Sequence, residues 1–299
     1  MRDQKMPRQQ APLRGAGLRS AALRAVGLRN VSNPRYAGLV TLTTEDLEAL
    51  RHARSLLEQP GLATRLTALI GMPVETAMDL LPERWSEAVG AATRQALEAA
   101  LHVALTTLED RPGARPSNLA HKFAVAATGA GGGAFGLMGL PVELPLSTTI
   151  MLRSIADVAR SEGEALDAPE ARMACLEVFA LGGRTAGDDA SESSYVVVRA
   201  GLARSVSEAA KYVAQKGLIE EGAPVLVRFL AQVASRFGVV VSHKAAAQAV
   251  PVVGAVGGGA INVLFMNHFQ QMARGHFIVR RLERTYPPAL VQAEYERLA

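Results

Sequence analysis

Two long stretches without charge, each built around a cluster of glycines, constrain this chain more than any other feature of its sequence. Between Lys122 and Glu143 twenty consecutive residues carry no charge, and between Lys244 and Arg274 only His268 is ionisable. The first stretch holds Gly129, Gly132, Gly133 and Gly136, and the second holds Gly254 and Gly258. Gly129 and Gly133, Gly132 and Gly136, and Gly254 and Gly258 are each four residues apart, which on a helix clears one face for a neighbouring backbone. An interior helical glycine costs about 1 kcal/mol relative to alanine. Such density therefore predicts close helix–helix packing in return.

Composition agrees with a helical core of small side chains. Apolar residues make up 49% of the 299, but aromatics only 5%, so Ala, Leu, Val and Gly must fill the interior. The expected fold class is all-α, a single multi-helix domain with two crossing glycine-rich helices at its centre. Helices are expected from Leu42 to about Leu57, from Leu62 to about Ile70, from near Val74, and from Glu83 to Glu109. Further ones come at Leu146–Ser161, Glu170–Leu181, Tyr195–Leu218 and Pro224–Val241, with a final long helix reaching Tyr286 and a short one over Leu290–Leu298. Thr43 and Asp46 form a capping-box-like start. Gln59-Pro60-Gly61, Gly182-Gly183 and Pro287-Pro288 act as stops, and Asp110–Asn118 and Gly187–Ser194 read as loops. Val196-Val197-Val198 and Val239-Val240-Val241 are the only β-branched triplets, and both sit in helical surroundings.

Other readings of the glycines fit less well. Gly131, Gly133 and Gly136 match G-x-G-x-x-G, but that motif needs a preceding strand, which Ala-rich Phe123–Ala127 makes poorly, and a helix after it, which Pro141 interrupts. No Lys-Ser/Thr comes after the glycines, so a Walker loop fails. Both stretches reach the length of about 20 residues that a membrane span needs, which makes inserted hairpins the main rival. Gly and Ala partition into hydrocarbon poorly, and the dry helix–helix interface is preferred.

The charge is unevenly placed. Residues 1–36 hold Arg2, Lys5, Arg8, Arg14, Arg19, Arg24, Arg29 and Arg35 against Asp3, a balance of +7, leaving −3 for the rest of a chain whose net charge is +4. This segment repeats Leu-Arg every five residues, from Leu13-Arg14 to Leu28-Arg29. That period drifts around a helix and forms no single stripe. It lacks the apolar core of a secretory signal. A disordered basic extension is the expected structure, with an anionic membrane surface its next best use. No aromatics interleave the arginines to stack on bases, so no specific nucleic-acid partner is expected.

Candidate chemistry is sparse. Glu143 is the lone charge in a long apolar run, placed between Pro141 and Pro145 at an expected bend. It must be paired, solvated or protonated. Arg153, Lys244 and Arg281 are its candidate partners, and an ion pair locking the bend is preferred over a carboxylate facing a cleft. Asn262 is expected to bridge helices through its amide. His268 and His276 lie eight residues apart, about 12 Å along a helix and too far for one metal. His102, His121 and His243 are isolated, and no H-E-x-x-H or clustered-carboxylate pattern occurs, so no metal and no cofactor are expected. Ser147, Thr148 and Thr149 read as helix-capping hydroxyls, since no nucleophile elbow surrounds them. Cys175 lies in the apolar run Met173–Phe179 and is expected to be a buried, inert thiol.

The residues around both glycine blocks resemble the EcsC family of bacterial proteins. The first block is Ala126–Gly139 followed by Leu140-Pro141-Val142-Glu143-Leu144-Pro145. The second is Lys244, Gln248-Ala249-Val250-Pro251-Val252-Val253-Gly254-Ala255, Asn262 and Phe265, followed by Ala273, His276-Phe277, Arg280-Arg281, Leu282-Glu283 and Tyr295. Order and spacing match over about residues 85–299, and Glu143 stands where the family commonly carries Asp. The resemblance makes 37–299 an EcsC-like helical domain and adds His276, Arg281 and Glu283 to the candidate polar residues. The family name comes from a protein encoded beside an ABC-type transporter. By that association it implies a cytoplasmic or peripherally membrane-bound accessory protein, with a membrane surface or a transporter as partner. The alternative is a lipid- or small-molecule-handling enzyme with a pocket near Glu143.

Overall fold

The computed structural model describes residues 41–58, 62–108, 125, 127–128, 136–183, 194–216, 223–250 and 254–298. Among them there are ten α-helices, one 3₁₀ turn and no strand. The expected loops at 110–118 and 187–193, the basic segment 1–36, and Gly129, Gly132 and Gly133 lie outside the described residues.

The first helix, α1 (Thr44–Leu57), starts where its capping chemistry sits. Thr43 Oγ1 accepts from the Asp46 backbone N–H at 3.1 Å, and Leu50, Ala53, Leu56 and Leu57 form the buried stripe. Two shorter helices, α2 (Leu62–Ile70) and α3 (Val74–Met78), are hinged by Thr67 Oγ1, which accepts from Val74 N–H at 3.1 Å. Then come α4 (Trp85–Thr106) and, after the 3₁₀ turn Gly136–Gly139, α5 (Leu140–Ser161). The next two are α6 (Pro169–Leu181) and α7 (Ser194–Lys216). The chain closes with α8 (Pro224–Ala249), α9 (Gly254–Thr285) and α10 (Pro288–Arg297).

Helices α5, α8 and α9 form the middle of the domain. The longest, α9, is about 48 Å from end to end and packs on α1, α2, α5, α6, α8 and α10, while α5 lies against α4 and α8 crosses α3, α4, α6 and α7. Short α6 is buried on nearly all sides, including Met173, Cys175, Phe179 and Leu181. The few aromatics are concentrated rather than spread. Phe179 of α6, Phe237 of α8 and Phe269 of α9 meet with ring centroids 5.0 to 5.6 Å apart, the tilted geometry aromatic pairs prefer. Tyr286 donates to Asp46 Oδ2 at 2.6 Å and Tyr295 to Glu58 Oε1 at 3.0 Å, so the C-terminal helices are tied to α1.

Several expectations are corrected. Glu143 does not sit in a bend, because the helix begins at Leu140 and takes in both prolines. Pro141 occupies the first turn, where no N–H is needed, and Pro145 leaves unpaired only the carbonyl of solvent-exposed Pro141. Ser147, Thr148 and Thr149 are therefore mid-helix rather than caps, and Ser147 Oγ donates to Leu144 O at 3.1 Å. Helix α8 runs past its expected end at Val241 to Ala249 and so takes in Lys244. Gly136 opens a 3₁₀ turn rather than continuing an α-helix, whereas Gly254 and Gly258 do enter the first turns of α9, with Gly258 buried.

Two glycines outside the two blocks mark close backbone approaches. A Cβ on Gly275 would lie 2.6 Å from Leu57 Cγ and 2.9 Å from Ala53 O, and one on Gly183 only 2.2 Å from Arg236 O. These two positions set the seams between α9 and α1, and between α6 and α8.

Helix α8 is long and apolar enough to cross a membrane by length and composition, and 33% of its most apolar window is buried within the fold. Phe229, Val233, Phe237, Val240 and Val241 face the core, while Arg228, Gln232 and Ser235 are exposed. It is amphipathic. The second uncharged stretch is divided between the end of α8 and the start of α9.

Candidate functional site

Three helices each bring one polar side chain into the apolar centre. Glu143 comes from the first turn of α5, where the positive end of the helix dipole favours a carboxylate. Lys244 comes from α8 and Asn262 from α9. Lys244 Nζ donates to Glu143 Oε1 at 2.9 Å and to Oε2 at 2.6 Å, and Asn262 Nδ2 donates to Oε1 at 2.7 Å. The same amide nitrogen donates to Val125 O at 3.1 Å, which ties in the residues ahead of the first glycine block. Lys244 and Asn262 are 0% exposed and Glu143 4%. Burial pulls the Lys244 ammonium below its ordinary pKa, and the Glu143 charge and hydrogen bond oppose that fall. The ammonium also lies 5.2 Å from the centre of the Phe265 ring, a cation–π contact in a dry setting. Asn262 Oδ1 has no hydrogen-bond partner among the described residues. Its amide must present –NH2 to the carboxylate, which turns the oxygen away.

The other candidate partners of Glu143 are elsewhere. Arg153 is exposed on the outer side of α5, and Arg281 Nε pairs with Glu162 at 3.1 Å. The positive-φ residue Gly163 (φ +81) turns the chain after α5 and leads into Glu164, which pairs with Arg280 and Arg284. Burial acts to raise the Glu164 pKa, but the hydrogen bonds and charges of Arg280 and Arg284 hold it below the ordinary carboxylate value.

His276 and Glu283 belong to a second buried cluster, between α6, α7 and α9. Tyr195 Oη and His276 Nδ1 share a hydrogen bond of 3.0 Å, and His276 Nε2 lies 3.7 Å from Glu177 Oε2. Arg199 clamps Glu283 with two hydrogen bonds of 2.7 and 2.6 Å. Burial pushes Glu177 up to about 7, and burial, with the Arg199 and Arg280 charges, keeps His276 well below its ordinary value. The imidazole is neutral. Glu177, Tyr195 and Arg199 are absent from the expectations drawn from sequence. Only Glu177 left a trace there, as the one charge inside the apolar run Met173–Leu181.

The remaining histidine of α9 caps another helix. His268 Nε2 bonds Gly182 O at 2.9 Å, and burial brings its pKa down to about 4. Arg236 adds donors to Ala180 O and Gly183 O, so the negative end of α6 is closed by two side chains from neighbouring helices. Cys175 is buried and its thiol is pushed up to about 12 by burial, an unreactive state.

The class these features define is an all-α single domain whose middle helices are locked by a buried ion pair. The chain belongs to the EcsC protein family, whose model matches residues 44–282. The match takes in α1 to α3, ahead of residue 85 where the motif resemblance begins, and it stops before Glu283 and Tyr295. No curated protein and no solved structure matches the chain.

Proposed function

We propose that this EcsC-family chain is a non-enzymatic accessory protein, cytoplasmic and peripheral at the inner face of the membrane, working beside an ABC-type transporter. The observation that carries the non-enzymatic part is the state of Glu143. Both carboxylate oxygens are taken up by Lys244 and Asn262 in a buried site, so the residue is committed to joining three helices. The membrane part rests on charge. The first 36 residues carry +7 against −3 for the remainder, and basic residues near an anionic surface contribute about 1 kcal/mol each.

Flotation of the full chain with vesicles of phosphatidylcholine alone, and with added phosphatidylglycerol, tests this reading. Binding to the anionic vesicles is expected. It should weaken by up to about a thousandfold when Arg14, Arg19, Arg24 and Arg29 are replaced together by Gln. Failure of the unmodified chain to float with either vesicle removes the membrane part.

One observation favours the second reading, an enzyme that handles a lipid or small molecule. Asn262 Oδ1 is an acceptor beside Glu143 with no partner among the described residues. Glu143→Gln strands buried Lys244 and destabilises the fold under either reading. The double variant Glu143→Leu with Lys244→Met leaves no buried charge unpaired; under the enzyme reading it folds but abolishes cellular function, and under the first it retains function.

A further inference from the structure

The first half of α5 is amphipathic in an unusual sense, since its inner face carries the charge and its outer face carries none. Glu143, Leu144, Ser147, Thr148, Met151 and Leu152 point inward and are buried. On the outside, Met138 is 83% exposed, Val142 79% and Leu146 52%. Pro141 is also exposed, and Pro145 and Thr149 are half-buried on that side. Val142 and Leu146 lie one turn apart on this face, Met138 stands in the 3₁₀ turn just ahead of the helix, and the first charge to reach solvent beyond them on the same face is Arg153. Large apolar side chains exposed on one face mark a contact surface.

We infer that this outer face at the start of α5, Met138, Val142 and Leu146 with Arg153 at its border, is a lipid-contacting surface that lies in the headgroup region of an anionic bilayer. The inference rests on the membrane reading above and assigns the part of the fold that makes the contact. Charge is what selects a bilayer as the occupant. An interfacial helix needs an apolar face bordered by cations that reach back to phosphate, which Arg153 supplies with its long stem. The +7 segment of the same chain supplies the long-range attraction that apolar burial alone does not. The Glu143–Lys244 pair would then hold α5 rigidly from behind. The surface is thus presented preformed, with little ordering left to do on contact.

The test uses the full chain and the two vesicle types named above. Met138→Gln with Val142→Gln leaves the net charge unchanged, and both sites are exposed enough for the fold to persist, which the melting temperature verifies. Vesicle affinity should fall about tenfold or more, as the loss of two buried apolar side chains implies. Separately, Val142→Cys takes an environment-sensitive fluorophore while buried Cys175 stays unlabelled. Its emission should shift to the blue on vesicle addition, whereas the same label at Gln232→Cys on the exposed side of α8 should not respond. Unchanged affinity of the double variant with a silent Val142 label, while the parent chain still floats, overturns this surface and leaves the membrane reading standing. A Val142 label that responds only when a membrane protein is present in the vesicles overturns it in favour of a protein partner. No flotation of the parent chain overturns both.

Discussion

Lys244 Nζ lies 2.6 Å from Glu143 Oε2, and the two side chains are 0% and 3% exposed. Two helices more than a hundred residues apart in sequence are thus pinned by a pair of buried charges. Removing one partner strands the other as a bare buried charge, whereas removing both does not. Lys244→Met and Glu143→Leu should each cost about 3–5 kcal/mol. The double variant should recover much of that loss. Urea unfolding of the four proteins measures the coupling, and additive losses would mean that the pair contributes nothing beyond packing.

Stability should respond to pH through two buried groups of opposite sense. Glu177 is raised from 4.5 to about 7 in the fold, so the native state holds its proton more tightly than the unfolded chain. Its contribution is fully present below pH 4.5 and is lost as pH rises through 7, by about 3 kcal/mol in all. Glu177→Gln should therefore grow more stable relative to the parent as pH goes from 5 to 8. A constant difference across that range would contradict the assignment.

His268 works in the other direction. Its pKa falls from 6.5 to about 4, so its contribution is present above pH 6.5 and is lost as pH drops through 4. His268→Gln should lower stability at pH 7, because Gly182 O and the end of α6 lose a donor placed by the imidazole. The same variant should flatten the acid limb of the stability profile, read from melting temperatures between pH 4 and 7.

Glycine substitutions should sort by what stands opposite them. Gly275→Ala drives a methyl into Ala53 O and Leu57, and Gly183→Ala drives one into Arg236 O. Each should cost about 1–3 kcal/mol or more. Gly201→Ala, in α7 with nothing within 4 Å, should instead stabilise by about 0.5–1 kcal/mol through helix propensity. Calorimetry of the three variants checks the ordering.

The helices were legible wherever local chemistry speaks. Thr43 with Asp46, Pro169, Gly182-Gly183 and Pro287-Pro288 marked real ends, and the β-branched triplets proved helical as their surroundings implied. Local chemistry misled at Pro141 and Pro145, because a proline in the first turns of a helix resembles one that ends it. Glu143 and Asn262 stood out as lone polar groups in apolar runs. Glu177 is the same kind of residue, but Tyr195 and Arg199, which face it, sit in an ordinary amphipathic helix and gave no such contrast.

The amino-acid order by itself therefore determined an all-α chain of small residues, the concentration of +7 in the first 36 residues, and the need for Glu143 to find a partner. Only the tertiary structure chose Lys244 over Arg153 and Arg281, and only it revealed the close backbone contacts at Gly183 and Gly275. The physical reason is range. Capping, helix propensity and charge composition act over a few residues along the chain, whereas the choice of ion-pair partner and the closest helix approach depend on distances set by all the packed helices at once.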